Sequence, residues 1–374
     1  MDKLKDIVIK KIQESGKITF SEYMDMALYY PELGYYQKEN PFGIQGSFYT
    51  SVNASSSFGN CLGKSFEYIA GETDISNNIC EIGAGNGLLA NDILSYLKSH
   101  APEYYNNCNY TIVEKSKYLI YEQKKILEDH IDKITWRGFH DLNNFDGIVF
   151  SNELVDAFPV HRIINISGAI KELFVIYYDN RLQFYPDSLS SPALKNYIDK
   201  FKINTVDKQI IDVNLHSSEW IKHLGSKLKK GFVITIDYGD TSEKLYTPNR
   251  IDGTVTCYFK HTQNNDFFER VGYQDITAFI DFSSLISYGA KADLKPITFI
   301  SQWLYLLNSG ILEEIKKAKT DLNKVSIQSL IIPEAGFGTN FNVLIQSKNL
   351  ETPEDFRYNK KADKIFEELS ETYS

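Results

Sequence analysis

Apolar residues fall three or four apart at Leu4, Ile7, Val8 and Ile12, the spacing of one helix face, and Gly16 stops the run. Thr19 with Glu22 reads as a capping box, so a second helix is predicted over 20–29, closed by Pro31 and Gly34. Farther on, apolar runs alternate with helical ones. Strands are expected at 78–82, 110–114, 133–137, 147–151, 231–237 and 341–346, with helices over 88–98, 116–130 and a stretch that includes 220–229. Such alternation implies βαβ crossovers and a mostly parallel, doubly wound α/β sheet. The run 146–152 is apolar enough for a strand buried on both faces. Period-two runs at 173–178 and 181–185, joined by Asp179-Asn180, predict an added β-hairpin. The Tyr-, Gly- and Ser-rich stretch 35–57 reads as an ordered loop or hairpin, and 100–109 as a loop insertion. On this reading an N-terminal helical and lid segment, 1–60, precedes the main domain, 61–348, which carries insertions at about 162–205 and 246–298; a polar tail, 349–374, follows.

Composition narrows the picture. Hydrophobic residues are 43% and charged residues 24% of 374, a globular balance that excludes collagen-like and wholly disordered chains. With 25 Tyr and 23 Phe against 3 Trp, the core, and a ligand cleft if there is one, is built from flat, two-torsion side chains. The net charge of −9 repels a phosphate backbone, so nucleic acid is not the expected partner. Cys61, Cys80, Cys108 and Cys257 lie far apart with no C-x-x-C pair, which points to buried free thiols and to no metal site. No apolar run approaches the ~18 residues that span a bilayer. Asp2, Asp6 and Glu14 interrupt the lysines of the start, unlike a secretory or transit peptide, so the expected location is cytoplasmic.

The stretch Ile79-Cys80-Glu81-Ile82-Gly83-Ala84-Gly85-Asn86-Gly87-Leu88 reads as strand, glycine turn and helix. Glycines at alternate positions let a ligand approach the backbone, although a tight turn alone would also explain them. The spacing is G-x-G-x-G, and Glu81 precedes the first glycine by two positions. A carboxylate beside a helix N-terminus repels a pyrophosphate and suits a ligand with positive charge. Glu114, ending the second strand, can accept both hydroxyls of a ribose. S-adenosylmethionine (SAM) meets both demands: it has a ribose, an amino group and a sulfonium, and no phosphate.

Several motifs in order extend this reading: Tyr29-Tyr30-Pro31-Glu32-Leu33-Gly34-Tyr35-Tyr36; Gly46-Ser47-Phe48-Tyr49-Thr50-Ser51; Asn152-Glu153-Leu154-Val155-Asp156-Ala157-Phe158-Pro159-Val160-His161; Asp237-Tyr238-Gly239; Gly253-Thr254; and Asp275-Ile276-Thr277-Ala278-Phe279-Ile280-Asp281-Phe282. With these the chain resembles the MidA-like class I methyltransferases, whose mitochondrial members assist assembly of respiratory complex I. The resemblance implies a Rossmann-like fold, SAM as cofactor with S-adenosylhomocysteine (SAH) as product, and an arginine side chain of a protein, a complex I subunit at the quinone site, as acceptor. It adds Gly46, Thr50, Ser51 and Asn152 to Glu81, Gly83, Gly85, Gly87 and Glu114 in the cofactor site. It also makes Tyr35, Tyr36, Phe48 and Tyr49 a lid, for which core packing is the plain alternative. Ser47, Val52, Asn53 and Thr256 depart from the family pattern around the ligand cleft.

Arginine methylation asks for carboxylates, because a guanidinium with pKa above ~12 has delocalised lone pairs and must be held and polarised. Glu153 and then Asp156, three residues apart after the fourth strand, are the expected catalytic pair, with Asp156 as a turn cap the alternative. His161 is a candidate proton acceptor or orienting group, or else a packed structural histidine. A small-molecule methyltransferase and a non-catalytic assembly scaffold that keeps the fold both stay open. The insertions are compatible with a protein-binding groove and with a homodimer interface.

Overall fold

The structure, a computed structural model, describes residues 3–38, 55–260, 262–331 and 341–358. Among the described residues eight strands build the central sheet; besides the two-residue Ile280–Asp281, which pairs with the carboxyl end of the fifth, they are β1 Asn78–Ile82, β2 Asn109–Val113, β3 Ile134–Arg137, β4 Phe145–Asn152, β5 Leu228–Asp240, β6 Lys295–Ser301 and β7 Phe341–Lys348. Their spatial order is β3-β2-β1-β4-β5-β7-β6. Neighbours from β3 to β5 are parallel, and β7 runs antiparallel to both β5 and β6. The chain leaves β1 toward β2 and leaves β4 toward β5, in opposite directions along the sheet. The strand order therefore reverses between β1 and β4, where a crevice opens at the carboxyl edge of a parallel sheet.

Alternation along each strand feeds two cores. Ile79, Ile148, Phe150, Phe232 and Ile234 face the helices Ser57–Glu72 and Leu88–His100. Cys80, Val149, Val233 and Leu344 face Leu215–Lys227 and Phe282–Ala290. Sealing both faces is what near-continuous apolar strands require.

A second layer stands beside this sheet. Its five strands are Ile18–Thr19, His161–Ile166, Ala169–Tyr178, Arg181–Asp187 and Ile210–Val213. The hairpin turns at Asp179 and Asn180, both at positive φ (52° and 58°), a geometry these side chains tolerate. Helices Lys3–Ser15 and Phe20–Tyr29 pack on this layer through Leu4, Val8, Phe20 and Tyr23. The second of them opens with the capping box that Thr19 and Glu22 form. A small sheet of Thr256–Phe259, Thr262–Asn264 and Asp275–Thr277 completes the layer's core. Where the layer meets this sheet, Arg162 pairs with Asp212 at 3.0 Å, its guanidinium 4.8 Å from the Phe267 ring centre.

Three elements differ from expectation. The stretch 100–109 contains a short helix, Pro102–Asn107, started by proline at its first position. The expected helix 116–130 is Lys117–Ile126 followed by a tighter turn, Glu128–Lys133. Within the range 246–298, helix Phe282–Ala290 packs on the central sheet and β6 starts at Lys295. The four cysteines are free and buried.

Candidate functional site

Gly83, Gly85 and Gly87 carry the chain from β1 into helix Leu88–His100 with φ of 74°, 53° and 91°. Only glycine holds three such positions in a row of five without strain. The Gly83 N–H donates to Val113 O at 3.0 Å, tying the turn to β2. A Cβ on Gly83 would meet Leu154 Cδ1 at 2.7 Å, so this turn and the one after β4 lie against each other. Gln123 fixes the outer side: its Nε2 donates to Gly85 O at 2.8 Å, and its Oε1 accepts from Trp136 Nε1 at 2.8 Å.

Two carboxylates flank the turn. Glu81 is 2% exposed and accepts the Tyr110 hydroxyl at 2.7 Å. Burial pushes its carboxyl up to about 7 against the pull of that hydrogen bond, and Glu114 adds to the rise. Glu114 Oε1 accepts from the N–H of Lys115 and of Ser116, both at 2.8 Å. Burial still raises its pKa, since the backbone donors only partly offset the lost hydration.

After β4 the chain takes a positive φ of 49° at Glu153, uncommon for a residue with a Cβ. Asn152 Nδ2 donates to Glu153 Oε1 at 3.1 Å. The following turn is gathered by Asp237, at the end of β5. Its Oδ2 accepts from the N–H of Leu154 (3.2 Å), Val155 (2.8 Å) and Asp156 (3.3 Å), and its Oδ1 from Tyr238 N–H at 2.8 Å. Burial pushes the Asp237 carboxyl up to about 7, with the backbone donors opposing. Asp156 is 3% exposed, and its Oδ1 has no hydrogen-bond partner among the described residues. Burial first, then the charges of Asp237, Asp275 and Glu153, drive it well above the usual carboxylate range. Asp156 O accepts from Ala278 N–H at 2.9 Å, which joins the turn to the chain just past strand Asp275–Thr277.

The N-terminal segment supplies the remaining wall. The rings of Tyr29 and Tyr36 stack with centres 5.6 Å apart. Tyr29 donates its hydroxyl to Ala157 O at 2.9 Å, and Tyr36 donates to the carboxylate of Asp275, 2.9 and 3.0 Å from its two oxygens. Burial pushes Asp275 up to about 6 against these bonds. Lys115 Nζ sits 3.6 Å from the centre of the Tyr29 ring. The pocket, open to solvent on one side and about 90 Å³ in volume, is lined by Tyr29, Tyr36, Gly83, Gly85, Glu114 and Glu153 among others.

Of the expected cofactor residues, Gly83, Gly85 and Glu114 thus face the pocket, Gly87 caps the helix behind it, Glu81 lies beneath and Asn152 braces Glu153. Gly46, Thr50 and Ser51, with the expected lid residues Phe48 and Tyr49, lie outside the described residues. Of the expected catalytic residues, Glu153 lines the pocket and Asp156 is buried behind it. His161 opens a strand of the second layer, where its Nδ1 lies 2.7 Å from Glu172 Oε1. Asp237 and Asp275 stand inside motifs quoted from the sequence, yet no role for either was expected. Asp237, and not Asp156, gathers the amides of the turn. Among the described residues, no group of three or more His, Cys, Asp or Glu could hold a metal ion.

Residues 62–300 match the profile of a family described as "Putative S-adenosyl-L-methionine-dependent methyltransferase". The chain belongs to this family. A superfamily member from Burkholderia thailandensis, crystallised with S-adenosyl-homocysteine, superposes on the methyltransferase with a TM-score of 0.87 at 25% identity, over 96% of this chain and 95% of that one. The mitochondrial protein arginine methyltransferase NDUFAF7 of Bos taurus is 28% identical over 339 residues, 81% of this chain and 72% of that protein. Its Danio rerio counterpart is 29% identical over 336 residues, 80% and 75% of the two chains. The methyltransferase is SAM-dependent, and the carboxylates of Glu81 and Glu114 beside the glycine turn suit, in their chemistry, the amino group and ribose of that cofactor. No helix among the described residues is long and apolar enough to cross a membrane.

Proposed function

We propose that the methyltransferase alkylates an arginine side chain of a protein, at the junction of the glycine turn with the turn after β4. The observation that carries this is the gathering of Glu153, Asp156, Asp237 and Asp275 beside a pocket walled by tyrosines, an environment that waits for a cation. The relatives named protein arginine methyltransferases support the same acceptor, and the resemblance points to a complex I subunit as the protein that carries it.

SAM supplies an electrophilic methyl group on a sulfonium, a leaving group that needs no acid. The cofactor's place on this reading is along Gly83, Gly85 and Gly87, with the ribose on Glu114, its amino group toward Glu81 and Asn152 beside the methionine end. The task left to the chain is the acceptor nitrogen. Glu153 holds the guanidinium by a charge-assisted pair and draws its charge toward the nitrogens that do not attack. As the nitrogen–carbon bond forms and the carbon–sulfur pair returns to sulfur, the attacking nitrogen sheds one proton and the guanidinium keeps its single charge. Asp156 Oδ1, ionised when the cation arrives, is the atom suited to take that proton. His161, one layer away, is assigned to hold the second layer in place through Glu172. On this reading Tyr29 and Tyr36 of the N-terminal segment, with Asp275 of the insertion at about 246–298, stand on the acceptor side, and the glycine turn with Glu114 on the cofactor side.

Incubation of the purified chain with trideuteromethyl SAM and a protein extract tests the reading. Deuterated methylarginine is expected, falling at least about 100-fold with Glu153→Gln while SAH affinity is kept. Label that enters only small molecules, or no arginine, contradicts it.

A further inference from the structure

Tyr36 has a double position: its ring lines the pocket, and its hydroxyl donates to the buried carboxylate of Asp275. A phenol that donates to a carboxylate carries more electron density on its ring, and such a ring attracts cations more strongly. The adjoining ring gives the precedent in this same wall, since Tyr29, stacked on Tyr36, already takes the Lys115 ammonium at 3.6 Å. Asp275 is 4% exposed and does not line the pocket, so it reaches a ligand there through Tyr36. Ile276 N–H donates to Asp275 Oδ1 at 2.9 Å, which fixes the carboxylate on its strand and lets it fix the ring in turn.

We propose that Tyr36 is the face on which the planar guanidinium of the acceptor stacks, and that Asp275 is its positioning residue, the two together selecting arginine over lysine. This rests on the arginine reading above. A flat, weakly hydrated guanidinium stacks on an aromatic face and leaves its N–H edges for Glu153, whereas a compact, strongly hydrated ammonium gains less from both. The competing cation is the sulfonium of SAM, and the test separates the two.

The full chain, saturated with SAH, is titrated calorimetrically with N-acetylarginine methylamide and with N-acetyllysine methylamide, and SAM and SAH affinities are measured separately. The arginine probe is expected to bind and the lysine probe to bind at least about fivefold more weakly. Tyr36→Phe, which keeps the ring and removes the tether, and Asp275→Asn each weaken the arginine probe by roughly fivefold, and the double variant is no worse than either single one. Tyr36→Leu weakens it further, and Asp275→Asn, which leaves the pocket lining unchanged, keeps SAM and SAH affinities within about twofold. Additive effects of Tyr36→Phe and Asp275→Asn, an unchanged affinity in both, or equal binding of the two probes overturns the proposal while the arginine reading stands. Loss of SAM affinity without loss of SAH affinity also overturns it and assigns the ring to the sulfonium. A wild-type chain that binds SAH but neither probe overturns the arginine reading and the proposal with it.

Discussion

Glu81 shows how one buried carboxylate records what the site is for. Its pKa in the folded chain is about 7 against an ordinary 4.5, because burial penalises the charge more than Tyr110 relieves it. The folded state therefore holds a proton that the unfolded chain gives up. The stability this group contributes is whole below about pH 4.5 and is lost as the pH rises through 7. Glu81→Gln keeps an acceptor for Tyr110 and cannot ionise. In the ligand-free chain the variant should match the wild type near pH 5 and exceed it by on the order of 2 kcal/mol at pH 8 in denaturant unfolding. A difference that does not change with pH would mean that Glu81 is not held neutral at rest. Asp156, beside Glu153, is governed by the same electrostatics. Both were legible as candidates from their position after an apolar strand, whereas the burial of Asp156 behind the pocket was not, because side-chain depth depends on Asp275 and Ala278, more than 100 residues away.

At the scale of elements, the site is two turns pressed together. Gly83 leaves room for Leu154, and Asp237 holds the Leu154–Asp156 amides, so the glycine turn and the turn after β4 share one geometry. Gly83→Ala adds a Cβ at φ 74°, 2.7 Å from Leu154 Cδ1, and should lower SAH affinity about tenfold by straining the glycine turn and pushing the Leu154 side chain, which lines the pocket, out of its place. Gly16→Ala, at φ 80° with nothing within 4 Å, is the control: it should cost about 1 kcal/mol in thermal unfolding and leave SAH affinity unchanged. Equal effects on binding would show that backbone strain, and not the contact between turns, sets the outcome. Elements whose determinants sit side by side in the chain could be read from sequence: the Thr19 and Glu22 capping box, the Asp179-Asn180 hairpin turn, the strand–glycine–helix run at β1. Helix Pro102–Asn107 could not, since Glu103 to Asn107 carry no apolar period, and β6 hides behind Pro296 and a run too mixed to read as a buried strand. Asp237 escaped for another reason, because the turn amides it holds, those of Leu154, Val155 and Asp156, lie 81 to 83 residues before it.

The whole molecule divides its work between layers. The central sheet ends in the glycine turn and Glu114, while the second layer and the N-terminal helices bring Tyr29, Tyr36 and Asp275 to the same edge. The parallel sheet was legible because its strands are buried on both faces and announce themselves as apolar runs. The second layer was legible only as a hairpin. Its short outer strands Ile18–Thr19 and Ile210–Val213 gain their identity from pairing with segments far along the chain. The central claim is that the cleft between these layers is the SAM site and that Glu114 holds the ribose. Calorimetric titration of the purified chain with SAM and SAH, beside a Glu114→Ala variant, tests it most directly. Micromolar binding of both ligands that the variant loses by about 100-fold or more is the predicted result; a variant that binds as the wild type does would place the cofactor elsewhere and contradict the account.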